Sequence, residues 1–446
     1  MALPLPADPP VAPVEDVEDM EVRRTRYLEV KDTIQRQLLS RINLETLATT
    51  GRAQAEGEIR NVVNALIADS GASLSAAESE AILGDVLDEV FGLGPLEPLI
   101  RDATVSDILV NTWQHVFVER KGKLERVPGA FQDDAHLMRI IDRIVSAVGR
   151  RIDESSPMVD ARLADGSRVN AIIPPLAVDG PLLLIRRFPA ERLKAKHLVE
   201  FKSITAPMIE FLSYCVAARL NCLVSGGTGS GKTTLLNVLS GYIGNTERIV
   251  TIEDAAELQL HQEHVARLET RPANVEGKGA IPQRQLVINA LRMRPDRIVI
   301  GEVRGGEALD MLQAMNTGHD GSLTTVHANN PRDALGRIET MVSMSDVSLP
   351  EKAMRQQIAA AINIVVQQAR MADGSRRVTS ISEITGMEGD VITMQEIFKF
   401  ERTHVDEEGR VRGRFMATGI RPQCCTKLQA AGIPIDAAMF EGVLEV

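Results

Sequence analysis

The amino-acid sequence predicts an α/β protein whose main domain is a largely parallel sheet wrapped by helices. From about residue 206 onward, short apolar segments at 248–252 and 297–300 alternate with helical patterns at 283–292 and 306–315. Such alternation is typical of parallel strands joined by crossover helices. The chain has 446 residues, which is long enough for two to four domains.

The first 92 residues are predicted to form a disordered tail followed by helices. Residues 1–20 are rich in proline and then acidic, with little apolar surface to bury. Residues 21–92 have apolar residues at helical spacing, and Ser75-Ala76-Ala77-Glu78 has the capping-box pattern that opens a helix. We therefore expect a three-helix module over residues 21–92.

A second, smaller domain is predicted over residues 93–190. Short strand patterns surround one amphipathic helix, whose apolar face includes Leu137 and Ile141. This mixture predicts an α+β domain. Residues 191–205, rich in lysine, arginine and alanine, are predicted to be a linker to the larger α/β domain at 206–446, whose C-terminal part has strand and turn patterns.

The charge balance and the cysteines exclude several classes of protein. Lys and Arg total 50 and Asp and Glu total 61, and the net charge of −11 argues against nucleic acid as the main partner. No apolar run approaches the ~18 residues of a transmembrane helix, and the first residues lack the basic start of a signal peptide. Adjacent Cys424 and Cys425 have no zinc-ligand spacing and are expected to be reduced. These features predict a cytoplasmic protein.

Residues 226–234 match the phosphate-binding loop of nucleoside triphosphatases. The pattern G-x-x-x-x-G-K-[ST] lies between a short apolar strand and a helical pattern, which is the context that the motif requires. Glycines let the backbone turn its N–H groups toward an anion, and the next helix adds its positive N-terminal end. Lys232 is predicted to contact the β and γ phosphates of ATP, and Thr233 to bind Mg²⁺. The predicted ATP-binding residues are Gly226, Gly227, Thr228, Gly229, Ser230, Gly231, Lys232, Thr233 and Thr234.

Three further segments have polar residues where apolar strands end. In a parallel sheet these ends form the edge where ligands bind. Glu253 and Asp254 follow one strand, Glu302 follows another after a single glycine, and His327 follows a third, with His319 nearby. Glu302 is predicted to hold Mg²⁺ directly or through a water molecule. The two histidines are candidates for sensing the γ-phosphate, although single histidines are more often structural.

Four segments resemble, in order, the signatures of the secretion-ATPase superfamily, which drives type II secretion, type IV pili and type IV secretion. They are GGTGSGKTT, TIEDAAEL, RIVIGEVRGGEA and TGHDGSLTTVHANNP, similar to the Walker A, acidic, Walker B and histidine boxes. Within the superfamily the chain most resembles the Tad/Flp pilus motor of the CpaF type. The segments that support this are LGPLEPLI, VDARLADGSRVNAIIPP, LIRRFP, ETRPANVEGKG and ATGIRP.

The resemblance implies an architecture and an assembly. A variable N-terminal domain would precede a RecA-like P-loop domain, and six subunits would form a ring with ATP between the two domains. The implied partners are inner-membrane platform proteins of a pilus or secretion machine, and the ring would work at the cytoplasmic side of that membrane. No direct nucleic-acid partner is expected.

The resemblance also implies roles for individual residues. Arg168 and Arg186 would face the γ-phosphate, with Arg187 as a further candidate, because guanidinium groups stabilise charge on a transferring phosphoryl group. Glu253 is the candidate general base. Glu302 and His327 complete the predicted catalytic set, with Glu302 orienting water and Mg²⁺.

Two other functions stay open at this point. One is a type IV secretion traffic ATPase that exports DNA or protein, for which the net negative charge disfavours direct DNA handling. The other is a scaffold that binds ATP without turnover, which the presence of both Glu253 and Glu302 disfavours. A small-molecule kinase is a weaker alternative, because no segment resembles a mobile substrate lid.

Overall fold

The computed structural model describes residues 52–71, 74–120, 122–127, 131–187, 193–273 and 278–446, together with residues 30, 33, 34 and 37. The predicted tail at 1–20 and most of the first predicted helix lie outside the described residues. The chain divides into two compact units: the first comprises residues 1–120 and 124–187, and the second comprises residues 121–123 and 188–446. Each unit has its own apolar core, and the mixed α/β fold class is confirmed.

Two of the three predicted N-terminal helices are described in the first unit. Helix α1 (Arg52–Asp69) and helix α2 (Ala76–Phe91) pack through a small apolar core of their own. Helix α2 opens with the predicted capping box: the Ser75 hydroxyl accepts from the N–H of Glu78, and the Glu78 carboxylate accepts from the N–H of Ser75 at 2.7 Å. This reciprocal pair satisfies two N–H groups that the helix itself cannot pair.

The rest of the first unit is a six-stranded sheet with the order β3-β2-β1-β6-β5-β4. Helix α4 (Asp134–Ala147) packs its apolar face, which includes Leu137, Ile140 and Ile141, into the core of this sheet. The α+β mixture expected from the sequence is therefore present. The elements are α3 (Glu97–Arg101), β1 (Val105–Thr112), β2 (His115–Arg120), β3 (Lys123–Val127), α4 (Asp134–Ala147), β4 (Met158–Arg162), β5 (Arg168–Ile172) and β6 (Leu182–Arg186).

The second unit is built on a ten-stranded sheet with the order β16-β15-β14-β13-β12-β7-β11-β10-β8-β9. From β12 to β9 the neighbouring strands are parallel, and from β12 to β16 they are antiparallel. The strands are β7 (Cys222–Gly226), β8 (Ile249–Glu253), β9 (Val265–Glu269), β10 (Arg297–Ile300), β11 (Leu323–Val326), β12 (Ile364–Arg370), β13 (Arg376–Glu388), β14 (Val391–Val405), β15 (Val411–Ala417) and β16 (Val443–Glu445).

Helices cover both faces of the parallel part, so alternate strand residues enter two different cores. Leu223 lies in one core and its neighbours Cys222 and Val224 in the other. Burial on both faces explains why these strands are mostly apolar in sequence rather than alternating between apolar and polar residues. The helices are α5 (Ala195–Glu200), α6 (Ala206–Ala217), α7 (Lys232–Ser240), α8 (Gln283–Ala290), α9 (Glu307–Asn316), α10 (Pro331–Ser343), α11 (Glu351–Ala361) and α12 (Cys425–Ala430).

The structure corrects the prediction of a linker at 191–205. Residues 195–200 form α5, and both Leu198 and Ile204 are buried in the core of the second unit. The basic residues of this segment suggested a linker, but its apolar side chains decide where it packs. Among the described residues, no helix combines the length and apolar character needed to cross a membrane. All four cysteines are buried free thiols.

Candidate functional site

The four polar segments predicted from the sequence end on one edge of the parallel sheet. Strand β7, which leads into the phosphate loop, pairs with β11 in parallel, with Ser225 opposite Val326. Strand β10 lies next to β11, and β8 next to β10, with Ile300 opposite Ile252. The phosphate loop, the His327 segment, the Glu302 segment and Glu253 therefore leave the sheet on the same side, in that spatial order.

The phosphate loop has the backbone conformation that its glycines allow. Gly229 has φ of 68° and Gly231 has φ of 95°, which are left-handed values that other residues rarely adopt. Helix α7 begins at Lys232, so Thr233 and Thr234 lie in its first turn. The Lys232 ammonium donates to the carbonyl oxygens of Gly226 at 2.9 Å and Gly227 at 3.0 Å. The lysine thus lies folded across the start of the loop.

Glu302 is the acid whose charge acts on Lys232. Burial lowers the pKa of Lys232, and the negative charge of Glu302 opposes that shift. The Glu302 carboxylate accepts two hydrogen bonds from Arg304, at 2.9 Å and 2.6 Å, both through Oε2. Arg304 also donates to Asp254 at 2.6 Å, so it joins the two acidic segments. Neither Arg304 nor this bridge was predicted from the sequence, although an arginine two residues after Glu302 was a visible signal.

Glu253 lies deeper than Glu302 and has a different environment. Its side chain is 3% exposed, and Oε2 accepts from the N–H groups of Glu257 at 2.7 Å and Leu258 at 2.9 Å. Oε1 is buried and has no hydrogen-bond partner among the described residues. Burial raises the pKa of Glu253, and the two N–H groups only partly oppose that effect. A buried carboxylate with a raised pKa is a stronger proton acceptor than an exposed one.

Gly301 explains the one-residue gap between strand β10 and its acid. A Cβ atom added at Gly301 would lie 3.0 Å from the Cγ atom of Glu253, which is closer than such contacts normally are. The Gly301 carbonyl oxygen accepts from the Thr325 hydroxyl at 2.7 Å, and Gln283 donates to the Glu302 carbonyl oxygen at 2.9 Å. The glycine therefore makes room for Glu253, and the two polar contacts fix the turn that carries Glu302.

The two predicted histidines lie at opposite edges of the sheet. His327 directly follows β11 and is exposed at the same edge as the phosphate loop. His319 precedes β11, in a turn whose Gly321 and Ser322 N–H groups donate to the Asn221 side chain at the start of β7. The prediction that His319 could sense the γ-phosphate is therefore wrong, because proximity in sequence placed it at the other end of the strand.

Arg168 and Arg186 are neighbours in the first unit. They lie directly opposite each other on strands β5 and β6, and Asp107 of β1 is opposite Arg186 on its other side. The Arg186 Nε atom donates to Asp107 at 3.0 Å, while its side chain remains 53% exposed. Arg187 instead donates to the backbone carbonyl oxygens of Asp102 and Val105, which is a structural role. The structure thus brings two of the three candidate arginines together.

The oxygen donors at the sheet edge suit Mg²⁺. This ion prefers hard oxygen ligands and is usually held by one or two protein groups together with phosphates and water. The Thr233 hydroxyl belongs to the residue after Lys232 in the first turn of α7, and Glu302 is the carboxylate whose negative charge acts on that lysine. Thr233 and Glu302 are therefore the residues that would hold the ion, and the metal would neutralise phosphate charge.

Comparison with known proteins identifies the family. The model of the family described as type II/IV secretion system protein matches residues 89–415. A Mycobacterium tuberculosis protein named for conjugal transfer is 40% identical over 68% of this chain and 87% of its own length. The conjugal transfer protein TrbB of Rhizobium radiobacter is 34% identical over 64% of this chain and 86% of its own. The type IV secretion system protein PtlH of Bordetella pertussis is 35% identical over 64% of this chain and 92% of its own length. The chain belongs to the type II/IV secretion system protein family.

Proposed function

We propose that this chain is an ATP hydrolase that acts as a hexameric motor for Tad/Flp-type pilus assembly or secretion. The observation that supports ATP hydrolysis best is the sheet edge itself. It combines a left-handed glycine loop, Lys232 at a helix N-terminus, and two acids in distinct environments. A loop that only bound phosphate would not need the two acids, whereas hydrolysis needs groups that orient and deprotonate water.

Each residue has a proposed role in the reaction. Lys232 and the loop N–H groups bind the β and γ phosphates, and Thr233 holds Mg²⁺. Glu253 accepts a proton from the attacking water, which its raised pKa favours. Glu302 orients that water and the Mg²⁺ shell from the adjoining strand end. His327, exposed at the same edge, is proposed to sense the γ-phosphate.

We propose that Arg168 and Arg186 act on the γ-phosphate in the assembled ring. Their direct cross-strand pairing supports this role, because it places two arginines side by side on one face of the sheet, where they could act on the same phosphate group. Replacing either residue with alanine should slow ATP turnover strongly and leave ADP affinity within about twofold, because ADP lacks the contacted group. Normal turnover in the double variant would refute this role.

The cargo and the partners are also proposals. The resemblance of five segments to the Tad/Flp motor supports pilin subunits as cargo and inner-membrane platform proteins as partners, with the ring at the cytoplasmic side of that membrane. The names of the relatives favour a second candidate, a conjugal or type IV secretion ATPase, since two of them are named for conjugal transfer. The net charge of −11 favours a protein cargo over direct DNA contact in either case.

Phosphate release by the purified full chain tests the proposal. We expect turnover of ATP that requires Mg²⁺, rises faster than linearly with protein concentration near the assembly threshold, and does not respond to added DNA. Stimulation by DNA would favour the conjugal candidate. If ATP binds and no phosphate is released at any concentration, with or without DNA, the chain is a nucleotide-binding scaffold and the hydrolase proposal fails.

A further inference from the structure

A β-hairpin from the antiparallel part of the sheet lies against the phosphate loop. Strand β12 pairs with β7 in parallel, and Gln368 is opposite Gly226, the last residue of β7. Strand β12 continues to Arg370, and the chain returns as β13 from Arg376. A Cβ atom at Gly226 would collide with the Gln368 carbonyl oxygen, so the strand and the loop are in direct contact.

The hairpin also touches the two glycines that have left-handed backbone. A Cβ atom at Gly231 would lie 3.1 Å from the Gln368 amide nitrogen and 3.3 Å from the Arg376 Cδ atom. At Gly229, a Cβ atom would lie 3.4 Å from a terminal nitrogen of Arg370. Both turns of the loop therefore pack on side chains that come from a different part of the sheet.

Arg376 makes a direct polar contact with the loop. Its Nε atom donates to the carbonyl oxygen of Gly229 at 2.9 Å. Within the part of the chain that the structure describes, no carboxylate forms an ion pair with Arg376. The arginines of β15 differ, since Arg412 pairs with Asp406 and Arg414 pairs with Glu401. Arg376 is thus an un-neutralised cation on the rim of a phosphate loop.

We propose that Arg376 is a second phosphate-binding cation of this site, beside Lys232. Its Nε atom fixes the Gly229 carbonyl, and the remaining N–H groups of the guanidinium donate to phosphate oxygens shared by ADP and ATP. This inference rests on the proposed nucleotide-binding function. A planar guanidinium suits both contacts, because it can hold the backbone with one edge and a phosphate with another.

Nucleotide binding by the full chain with Mg²⁺ tests the inference. The variant R376Q keeps an amide that can donate to Gly229 but loses the charge, and we expect ADP and ATP affinity to fall about 10- to 100-fold. R376K keeps the charge but lacks the planar fork that makes both contacts, so it should bind nucleotide more tightly than R376Q and more weakly than the wild type. The matched control is R414Q, whose arginine lies in β15 and pairs with Glu401, and it should bind as the wild type does.

Two results would overturn the inference. One is R376Q binding of ADP within twofold of the wild type, and the other is equal weakening by R376K and R376Q, which would leave only a structural contact. Lys232→Ala distinguishes this failure from failure of the proposed function. If K232A loses nucleotide and R376Q does not, only the role of Arg376 is wrong. If K232A also binds normally, the phosphate site itself is misassigned.

Discussion

The ten-stranded sheet of the second unit has two halves with different burial and different contents. In the parallel half, strands β7, β8, β10 and β11 are four or five residues long, and every residue is buried. In the antiparallel half, β13 and β14 have 13 and 15 residues, and many of their side chains are partly exposed. The parallel half ends in Glu253, Glu302, His327 and the phosphate loop, whereas the antiparallel half supplies the hairpin that supports this loop.

The two halves of the sheet therefore differ in role: the parallel half carries the proposed catalytic residues, and the antiparallel half packs against the phosphate loop. Short parallel strands bring four different chain segments to one edge, which a meander of long antiparallel strands cannot do because its neighbours run in opposite directions. A longer strand can instead continue past the end of its neighbour, as β12 does beyond β7. Its side chains can then pack beside the loop that follows the shorter strand. Substitutions in the two halves should therefore have different consequences, even when the residue types are the same.

The largest expected contrast is between two glutamates. Glu253→Gln in the parallel half is nearly isosteric, and we expect turnover to fall by roughly 10²–10⁴-fold while ATP affinity stays close to normal. Glu401→Gln in the antiparallel half loses only a surface pair with Arg414 and should keep full turnover. Single-turnover kinetics measure the rate of the chemical step in each variant, and nucleotide titration measures its ATP affinity. A loss of affinity in E253Q without slower chemistry would make Glu253 a structural residue and leave Glu302 as the candidate base.

A smaller contrast is expected in stability, from two arginine–glutamate pairs. Arg297 of β10 is fully buried, pairs with Glu247 at 2.7 Å and donates to two backbone carbonyl oxygens. Its replacement by alanine should cost about 3–5 kcal/mol, because buried acceptors and a charge lose their partner. Arg414→Ala removes an exposed pair and should cost less than about 1 kcal/mol. Urea denaturation measures the free energy of unfolding of both variants. Similar decreases would show that the two ion pairs stabilise the fold equally, despite their different burial.

The smallest effect concerns pH. Burial holds the pKa of Glu253 above its ordinary value in the folded state, so the folded protein binds this proton more tightly than the unfolded chain. The wild type therefore loses stability relative to E253Q as pH rises from the ordinary glutamate range through the raised pKa. Denaturant midpoints at pH 5 and pH 8 should show a larger advantage of E253Q at pH 8. An advantage that is the same at both pH values would contradict a raised pKa.

The sequence predicted the parallel half better than the antiparallel half, for physical reasons. A fully buried short strand is a mostly apolar run that ends at or close to a polar residue, so β8, β10 and the position of Glu302 could be predicted directly. The role of Arg376 could not be predicted, because its contact with Gly229 depends on how far β12 continues past the end of β7. The prediction for His319 was wrong for a related reason. His319 and His327 are close in sequence, but they lie at the two opposite ends of one strand.

The contacts around Glu302 also could not be predicted from the sequence, although the residues that make them were visible in it. The offset by Gly301 was visible in the sequence, but its cause is the side chain of Glu253 on the neighbouring strand. Arg304 was equally visible, yet its link to Asp254 joins segments 50 residues apart. Residue types at strand ends can thus be predicted from periodicity, whereas the pairing between different strand ends requires the fold.

Steady-state phosphate release by Lys232→Ala tests whether the edge of the parallel half is a hydrolytic ATP site. The matched control is Lys352→Ala, which removes an exposed lysine paired with Asp390. Charge-assisted phosphate contacts contribute roughly 1.5–3 kcal/mol each, so K232A should lose at least about 10-fold in nucleotide affinity and nearly all turnover, while K352A behaves as the wild type. Turnover by K232A within about twofold of the wild type would show that this edge is not the hydrolytic site.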